Sequence, residues 1–410
     1  MERAALAPPG SKGLLALNFF MADMQAGVGP FLGVFLQQRG WATGAIGAVM
    51  TLGGVAGMTV TAPAGALIDA TRRKRAWIIA SGVFTLLASA MIFVSQQFWI
   101  VAASQIATAI AGAAIGPAVA GVTLGIARQH GFNRQNGRNQ AFNHAGNMVG
   151  ASLSGILGWR FGFVAVFALA GLFGILSVIS VLTIPRGAID DRAARGLETT
   201  DSGGAGQAKG LQVLLECRPL LVLAAALALF HLGNGAMLPL YGLAVVAAHR
   251  GDPAGFVALT IVVAQGVMVF AALAAMRVAE RRGYWLVLLI SFMVLPVRGL
   301  IAALIIQGWG VWPVQMLDGV GAGLQSVAVP GLVARILSGT GRVNAGQGAV
   351  MTAQGLGAAL SPALGGVVAE RLGYPPAFLL LGGVSLGSLF LWLACGRSLR
   401  AACGANSAFT

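Results

Sequence analysis

The chain has 410 residues, of which 57% are hydrophobic and only 9% are charged. A soluble domain carries about 25% charged residues, since its surface must be wettable, so the composition excludes an ordinary soluble domain and indicates a membrane protein. The net charge of +14 would suggest nucleic-acid binding in a soluble protein, but here the basic residues lie between apolar runs, and we interpret them as topology signals.

Apolar runs follow one another along the whole chain. A membrane-spanning helix needs about 20 mainly apolar residues, and twelve runs meet this length. The first run contains Asn18, Asp23 and Gln25, which favours a membrane helix over a cleaved signal peptide. The sequence thus predicts an all-α polytopic membrane protein. The predicted helices span residues 14–38, 43–69, 76–96, 98–127, 140–159, 161–184, 219–247, 254–279, 284–306, 311–336, 344–369 and 375–395.

The connectors alternate in charge. If the N-terminus is cytoplasmic, most of the 26 Lys and Arg residues fall on the cytoplasmic side. The outer side then holds only Arg39, Arg160, Arg250 and Arg371, and Arg298 lies within a span. This asymmetry predicts a multi-pass protein of a bacterial inner (cell) membrane with both termini in the cytoplasm.

One connector is long and polar. Residues 186–210 contain four acidic residues and a Gly-Gly pair, which is typical of a flexible linker. We therefore predict an N-terminal six-helix bundle at 1–185, a cytoplasmic linker at 186–218, and a C-terminal six-helix bundle with a short cytoplasmic tail at 219–410.

The two halves resemble each other. Gly112–Arg128 and Gly319–Arg335 share glycines and a terminal Arg at an offset of 207 (319 − 112). ASLSGILG from Ala151 matches AALSPALG from Ala358 at the same offset. Predicted helices four and five therefore correspond to ten and eleven in the same orientation. Parallel six-helix repeats of this kind form pseudo-symmetric bundles.

The connector after the second predicted helix reads Gly65-Ala-Leu-Ile-Asp69-Ala-Thr-Arg72-Arg73-Lys74. It is similar to the G-x-L-x-D-R-x-G-R-R loop of the major facilitator superfamily, which the chain resembles over almost its whole length. The resemblance implies that Asp69 bonds to the neighbouring helix and the basic loop, and so steadies one state of the transport cycle. Gly65, Arg72 and Arg73 would complete this gating loop. The alternative is a plain basic connector.

Few ionisable residues lie inside the predicted spans. Each costs about 3 kcal/mol or more in the bilayer and so usually faces an interior cavity. The resemblance implies that helices 1, 4, 7 and 10 line that cavity, which would place Asp23, His231 and Asp318 on it. Asp23 and His231, or His144 on predicted helix five, could load and release a proton. Capping or packing hydrogen bonds are the alternative.

Arg298 and Asp318 fall at nearly the same predicted depth in neighbouring helices. One hypothesis is a buried structural ion pair. The other is that Asp318 exchanges between Arg298 and a proton or a cationic substrate.

Polar side chains share one face at the start of predicted helices five and eleven. We expect these stripes either to form a polar seam or gate near the cytoplasmic end, or to contact the substrate. Together with isolated polar and aromatic residues, they give the predicted substrate-cavity residues Gln25, Phe31, Asn143, Asn147, Asn234, Tyr241, Gln265, Gln325, Gln347 and Gln354.

These features predict a secondary active transporter, with a small-molecule substrate and protons as partners, working as a monomer in the lipid bilayer. Sparse charge favours proton-coupled export of an amphipathic compound or metabolite. The alternative is proton-coupled import of an organic acid, sugar-like metabolite or metal chelate. No nucleotide-binding Gly-rich loop, catalytic constellation, cofactor motif, metal cluster or nucleic-acid site is recognised, so we predict no enzyme activity.

Overall fold

Helices account for all the regular secondary structure that the computed structural model describes. It describes residues 8–26, 32, 35–36, 39–41, 43–197, 210–247 and 253–404. The predicted all-α class is confirmed. The helices are α1 Ser11–Ala26, α2 Thr43–Ala70, α3 Lys74–Val94, α4 Phe98–Ala113, α5 Ile115–Phe161, α6 Phe163–Leu182, the short α7 Val213–Glu216, α8 Arg218–Asn234, α9 Met237–Ala247, α10 Pro253–Arg282, α11 Tyr284–Leu304, α12 Val311–Ile336, α13 Val343–Leu372, α14 Tyr374–Ala394 and the short α15 Gly396–Cys403.

The predicted start of helix five, at residue 140, was wrong. Helix four was predicted to end at residue 127, and the backbone does break at Arg128, whose φ is 55° and ψ 175°, but residues 129–139, expected as a connector, are helical. The polar residues after this break are buried because they pack on the other half of the chain: Asn133 Nδ2 donates a hydrogen bond to the Met276 carbonyl of α10 at 2.9 Å. The polarity that suggested a connector therefore belongs to a contact between helices.

The seventh predicted helix is broken into α8 and α9 at Gly235 and Ala236. The freed Ala236 N–H donates a hydrogen bond to Ser361 Oγ on α13 at 2.8 Å. A Cβ at Gly235 would lie 2.8 Å from the Ala358 carbonyl oxygen, so the break lets two helices approach closely.

The helices form two bundles. In the first half, α1 packs against α5 and α6, and α2 and α3 pack against α4. In the second half, α8 packs against α13 and α14, α10 against α12, and α11 against α12 and α14. The bundles meet mainly where α5 packs against α10 and where α2 packs against α13.

The outer faces of the bundles are apolar. Trp99, Trp159 and Phe270 are at least three-quarters exposed, which in water would create an unfavourable hydrophobic surface but suits a lipid environment. Within the described residues, nine stretches are long and apolar enough to cross a membrane, and one of them, Phe98–Phe161, contains both helices that meet at Arg128.

Candidate functional site

A cavity of about 360 Å³ lies between the two bundles. Its polar lining consists of amides, one imidazole and one hydroxyl, and its apolar lining comes mainly from Met and Val side chains. No carboxylate or guanidinium lines it among the residues that the structure describes. The lining residues are Asn18, Met21, Gly116, Val119, Ala120, Asn136, Gln140, Asn143, His231, Ala322, Gln325, Ser326, Val329, Pro330, Gln347, Met351 and Gln354.

Several predicted cavity residues lie on this lining: His231, Asn143, Gln325, Gln347 and Gln354. Gln354 Nε2, which can only donate, lies 3.2 Å from His231 Nε2, so this imidazole nitrogen accepts when the ring is neutral. Gln347 Nε2 donates to the Pro330 carbonyl at 2.8 Å, beside the cavity. The roles predicted for these residues stay predictions.

Other predicted cavity residues lie elsewhere. Tyr241 is fully buried and donates its hydroxyl hydrogen to the Ile305 carbonyl at 2.6 Å, at the end of α11. Asn147 donates to Asn143 Oδ1 at 3.3 Å. The side chains of Asp23 and Gln25 and all of Phe31 lie outside the described residues.

His144 joins the two bundles. Its Nδ1 lies 2.9 Å from Gln265 Oε1 on α10, and its Nε2 lies 3.2 Å from Ser326 Oγ on α12. His144 Nδ1 donates to the amide oxygen of Gln265, which can only accept. Ser326 Oγ lies within hydrogen-bond distance of both His144 Nε2 and the Gly323 carbonyl, to which it donates at 2.8 Å. His144 thus links the two bundles through Gln265 and Ser326, the second of which lines the cavity.

Arg298 and Asp318 form an ion pair of 2.8 Å, and the Arg298 side chain is 1% exposed. The guanidinium also donates from Nε to the Val314 carbonyl at 3.1 Å and from Nη1 to Asn234 Oδ1. Asn234, another predicted cavity residue, therefore has a partner at the break between α8 and α9. The two side chains therefore meet, as both hypotheses for this pair require. Whether the pair is only structural, or Asp318 also exchanges with a proton or a substrate, stays a prediction.

At one end of the molecule, Asp69 joins the bundles. Its Oδ1 accepts from the Asn344 N–H at 3.2 Å and from Asn344 Nδ2 at 2.7 Å, and its Oδ2 accepts from the Ala345 N–H at 2.8 Å. The carboxylate thus caps the first turn of α13, where unpaired N–H groups favour an anion. A Cβ at Gly65 would overlap the Asn344 carbonyl, so only glycine allows this approach. Arg72 is exposed.

The segment 186–197, which we call the clasp, also joins the bundles at this end. The Asp190 N–H donates to the Gly125 carbonyl at 3.0 Å, and Asp190 Oδ2 lies 2.7 Å from Arg128 Nη2. On the opposite bundle, Asn344 Nδ2 donates to the Ala194 carbonyl at 2.9 Å. Sequence reasoning treated the segment as flexible and missed it. The available signal was Asp190, which precedes Arg192 by two residues and Ala193 by three and can therefore accept hydrogen bonds from their N–H groups.

The carboxyl of Asp190 is held in its charged form. Partial burial opposes ionisation, but hydrogen bonds from the Ala193 and Arg192 N–H groups and the charge of Arg128 outweigh it. Together they lower the pKa of Asp190 below its usual value.

Two helical bundles that contact each other at one end and enclose a polar cavity are the architecture of a membrane transporter that works by alternating access. The chain matches the family model described as Major Facilitator Superfamily over residues 14–345, and it belongs to that family. The twelve-helix architecture predicted from the sequence is that of the family.

Known relatives agree with this assignment. The chain is 36% identical over 390 residues to an uncharacterised MFS-type transporter of Mycobacterium tuberculosis, found in strains CDC 1551 and H37Rv, with 95% of this chain and 93% of the relative covered. Its fold is similar to the crystal structure of the MFS transporter FucP in the outward conformation, with a TM-score of 0.67, 15% identity, and 94% and 97% of the two chains covered. The chain is a transporter and not an enzyme.

Proposed function

We propose that the protein exports a small, uncharged, amphipathic compound in exchange for protons. The observation that carries this proposal is the cavity between the bundles, whose described lining pairs neutral amides with Met and Val side chains. Amides hydrogen-bond a polar group without requiring a charge, while the apolar residues hold the rest of the solute. The cavity volume of about 360 Å³ suits a small molecule.

A strongly anionic substrate is disfavoured because the buried cation Arg298 already has partners. The Arg298 guanidinium already contacts Asp318, Asn234 and the Val314 carbonyl, so binding a second anion would break that set. Proton-coupled import of a sugar-like metabolite is the second candidate, because Gln140, Gln347 and the other amides can bind hydroxyl groups.

For proton coupling we propose His231 and Asp23. His231 lies on the cavity wall beside Gln354, where it is exposed to each side in turn as the bundles rock. Asp23 lies on α1, which contributes Asn18 and Met21 to the same cavity.

We further propose that the end carrying Asp69 and the clasp faces the cytoplasm. Arg72, Arg128 and Arg335 lie at this end, as the positive-inside rule requires of a cytoplasmic face. Because the Asp69 and clasp contacts close this end, the structure would be an outward-facing state. The fold likeness to FucP, whose structure is described as outward, supports this reading.

Transport in vesicles tests the proposal. A thermal-shift screen of neutral amphipathic compounds and sugars first identifies a ligand, whose accumulation is then measured in inside-out vesicles with an imposed acid-inside gradient. Export predicts accumulation that collapses when the gradient is dissipated. Asp23→Asn and His231→Gln should each be examined. We expect at least one to abolish gradient-driven accumulation while leaving counterflow intact, because only the proton step is removed.

His130→Gln is the matched control, since His130 is exposed on the same chain and away from the cavity. Accumulation that survives in both Asp23→Asn and His231→Gln would refute the coupling assignment. Accumulation that occurs only in right-side-out vesicles with an imposed acid-outside gradient would refute export and favour the importer.

A further inference from the structure

A second cavity lies outside the transport path. It has a volume of about 570 Å³ and opens between the start of α3, the end of α6 and the beginning of the clasp. We call it the basic cleft. One carboxylate, Asp191, lines it, against five cationic side chains: Arg72, Arg73, Lys74, Arg75 and Arg186. A neighbouring cavity of about 220 Å³ shares Arg72 and Asp191 and adds Arg192 and Arg195.

These cations are crowded without matching anions. Within the described part of the chain, none of the five cleft cations forms a salt bridge within 4.0 Å, and the ion pairs Arg128–Asp190 and Arg298–Asp318 lie outside the cleft. Lys74 is 1% exposed, and its ammonium donates to the Thr71 carbonyl at 2.8 Å. Asp69 and Asp191 attract Lys74, while Arg195 repels it. A bound anion would offset the remaining repulsion.

Arg75, another cation of the cleft, lacks an acceptor for one of its N–H groups among the described residues. Its Nη2 donates to the Leu182 carbonyl at 3.2 Å, at the end of α6. Its Nε is buried and has no hydrogen-bond partner in the described part of the chain. Arg186 lies near enough to repel it. A guanidinium nitrogen that is shielded from water and unpaired is costly, and an anion in the cleft would supply an acceptor.

The backbone adds a further anion-binding feature. Helix α3 has 21 residues and begins at Lys74, and no side chain caps its N-terminus. Its first turn, Lys74–Ala76, lies on the cleft wall. Uncapped N–H groups at a helix start bind phosphate groups well.

One wall of the cleft is apolar. Ile79 and Leu182 line it, and Leu182 and the nearby Trp77 are 59% and 38% exposed. Because α3 is a membrane span that starts at the cleft, the cations lie at the bilayer edge and the apolar wall lies below them. A free anion would contact only the cations, whereas an anionic lipid would contact the cations with its headgroup and the apolar wall with its acyl chain.

We propose that the basic cleft binds a phosphate group, supplied by the headgroup of an anionic membrane lipid whose acyl chain lies along Leu182 and Ile79. Basic pockets at the cytoplasmic edge of membrane helices recognise headgroups in this way. Since the clasp residues Arg186 and Asp191 form part of the cleft, the bound lipid also holds the clasp against the first bundle. This inference does not depend on the substrate or on the direction of transport.

Binding of lipids to the purified full-length protein, measured by native mass spectrometry, tests the proposal. The probes are phosphatidylglycerol, phosphatidylcholine with the same acyl chains, and inorganic phosphate. The test variant is Arg72→Gln/Arg73→Gln/Arg186→Gln, whose three side chains are exposed. The matched control is Arg277→Gln/Arg281→Gln/Arg282→Gln, which removes the same charge from exposed positions at the end of α10.

We expect wild-type protein to retain phosphatidylglycerol over phosphatidylcholine, and the test variant to lose at least roughly tenfold in that affinity while the control changes little. Inorganic phosphate that binds at the cleft and displaces the lipid would support the phosphate site; if it binds as tightly as the lipid, a free phosphate is the source. Equal losses in both triple variants would overturn the proposal, because the binding would then reflect surface charge alone. So would equal retention of the two lipids by the wild type.

Discussion

A guanidinium inside a membrane helix persists only when its hydrogen-bond donors are satisfied, and Arg298 meets this condition through Asp318, Asn234 and the Val314 carbonyl. Removing one partner of a buried pair strands the other, at a cost of about 3–5 kcal/mol. We therefore expect Arg298→Met to lower the thermal stability of the purified protein markedly. Asp318→Leu should do the same, because it strands the cation.

The double variant Arg298→Met/Asp318→Leu serves as the control for that prediction. Its loss of stability should be smaller than the sum of the two single losses, because neither charge is then left alone. Melting temperatures in one detergent measure all four proteins. Additive losses would show that the pair is not coupled and would contradict the prediction.

At the residue scale, the sequence located the rare charges within the spans but did not reveal their partners. Depth along two neighbouring helices was enough to predict that Arg298 and Asp318 could meet. The position of Tyr241 was not predictable, because the direction in which a helix side chain points depends on how that helix rotates against its neighbours. A stripe of amides has the same period whether it faces a cavity or a neighbouring helix, so Asn143 and Asn147 could not be told apart.

At the scale of elements, the clasp is the feature that departs most from expectation. Composition alone predicted a flexible linker, yet Ala193 and Ala194 are buried and Asp190 caps the turn they begin. The helical structure of residues 129–139, which were predicted to be a connector, has the same cause. Polar residues such as Asn133 gain buried partners only after the two halves have docked, and local sequence carries no signal for a contact made with a distant helix.

Asp190→Asn tests whether the clasp depends on that carboxylate. The change weakens the bond to Arg128 and the cap, and loss of a cap costs about 1 kcal/mol. We expect amide hydrogen exchange across residues 186–197 to become about fivefold faster. Asp191→Asn, one residue further along and without a capping bond, is the control and should leave exchange nearly unchanged. Equal effects of the two changes would refute the role of Asp190.

The lowered pKa of Asp190 also sets the pH range of this contact. A carboxyl whose pKa falls on folding stabilises the fold above its unfolded value of about 3.9. That stabilisation is lost as the pH drops through the lowered folded pKa. Hydrogen exchange in the clasp, corrected for intrinsic rates, should therefore be independent of pH near neutrality and rise only in strong acid. In Asp190→Asn the rise in acid should be smaller.

At the scale of the whole molecule, the internal repeat was sufficient to predict two bundles, and the loop at Asp69 was sufficient to predict a contact of that carboxylate with another helix. The gating role of this contact stays a prediction, and whether the contact is made or broken in a given state was not predictable. Both states of an alternating-access transporter share one sequence and nearly the same contacts within each bundle, and they differ in the contacts between bundles. Those contacts involve backbone approaches such as Gly65 to Asn344, which leave no pattern beyond the glycine itself.

A disulfide between the bundles tests alternating access directly. A Cβ at Gly355 on α13 would lie 3.9 Å from the Met58 Cβ on α2, within the range of about 3.5–4.5 Å that a disulfide needs. In a background lacking Cys217, Cys395 and Cys403, Met58→Cys/Gly355→Cys should cross-link on oxidation and stop transport, and a reductant should restore it. Gly57→Cys/Ala109→Cys lies within the first bundle, with Cβ atoms 3.3 Å apart, just under that range. After a small adjustment of the two helices it should cross-link without stopping transport, because α2 and α4 move together. Full transport by the cross-linked Met58–Gly355 protein would contradict rocking of the bundles at this contact.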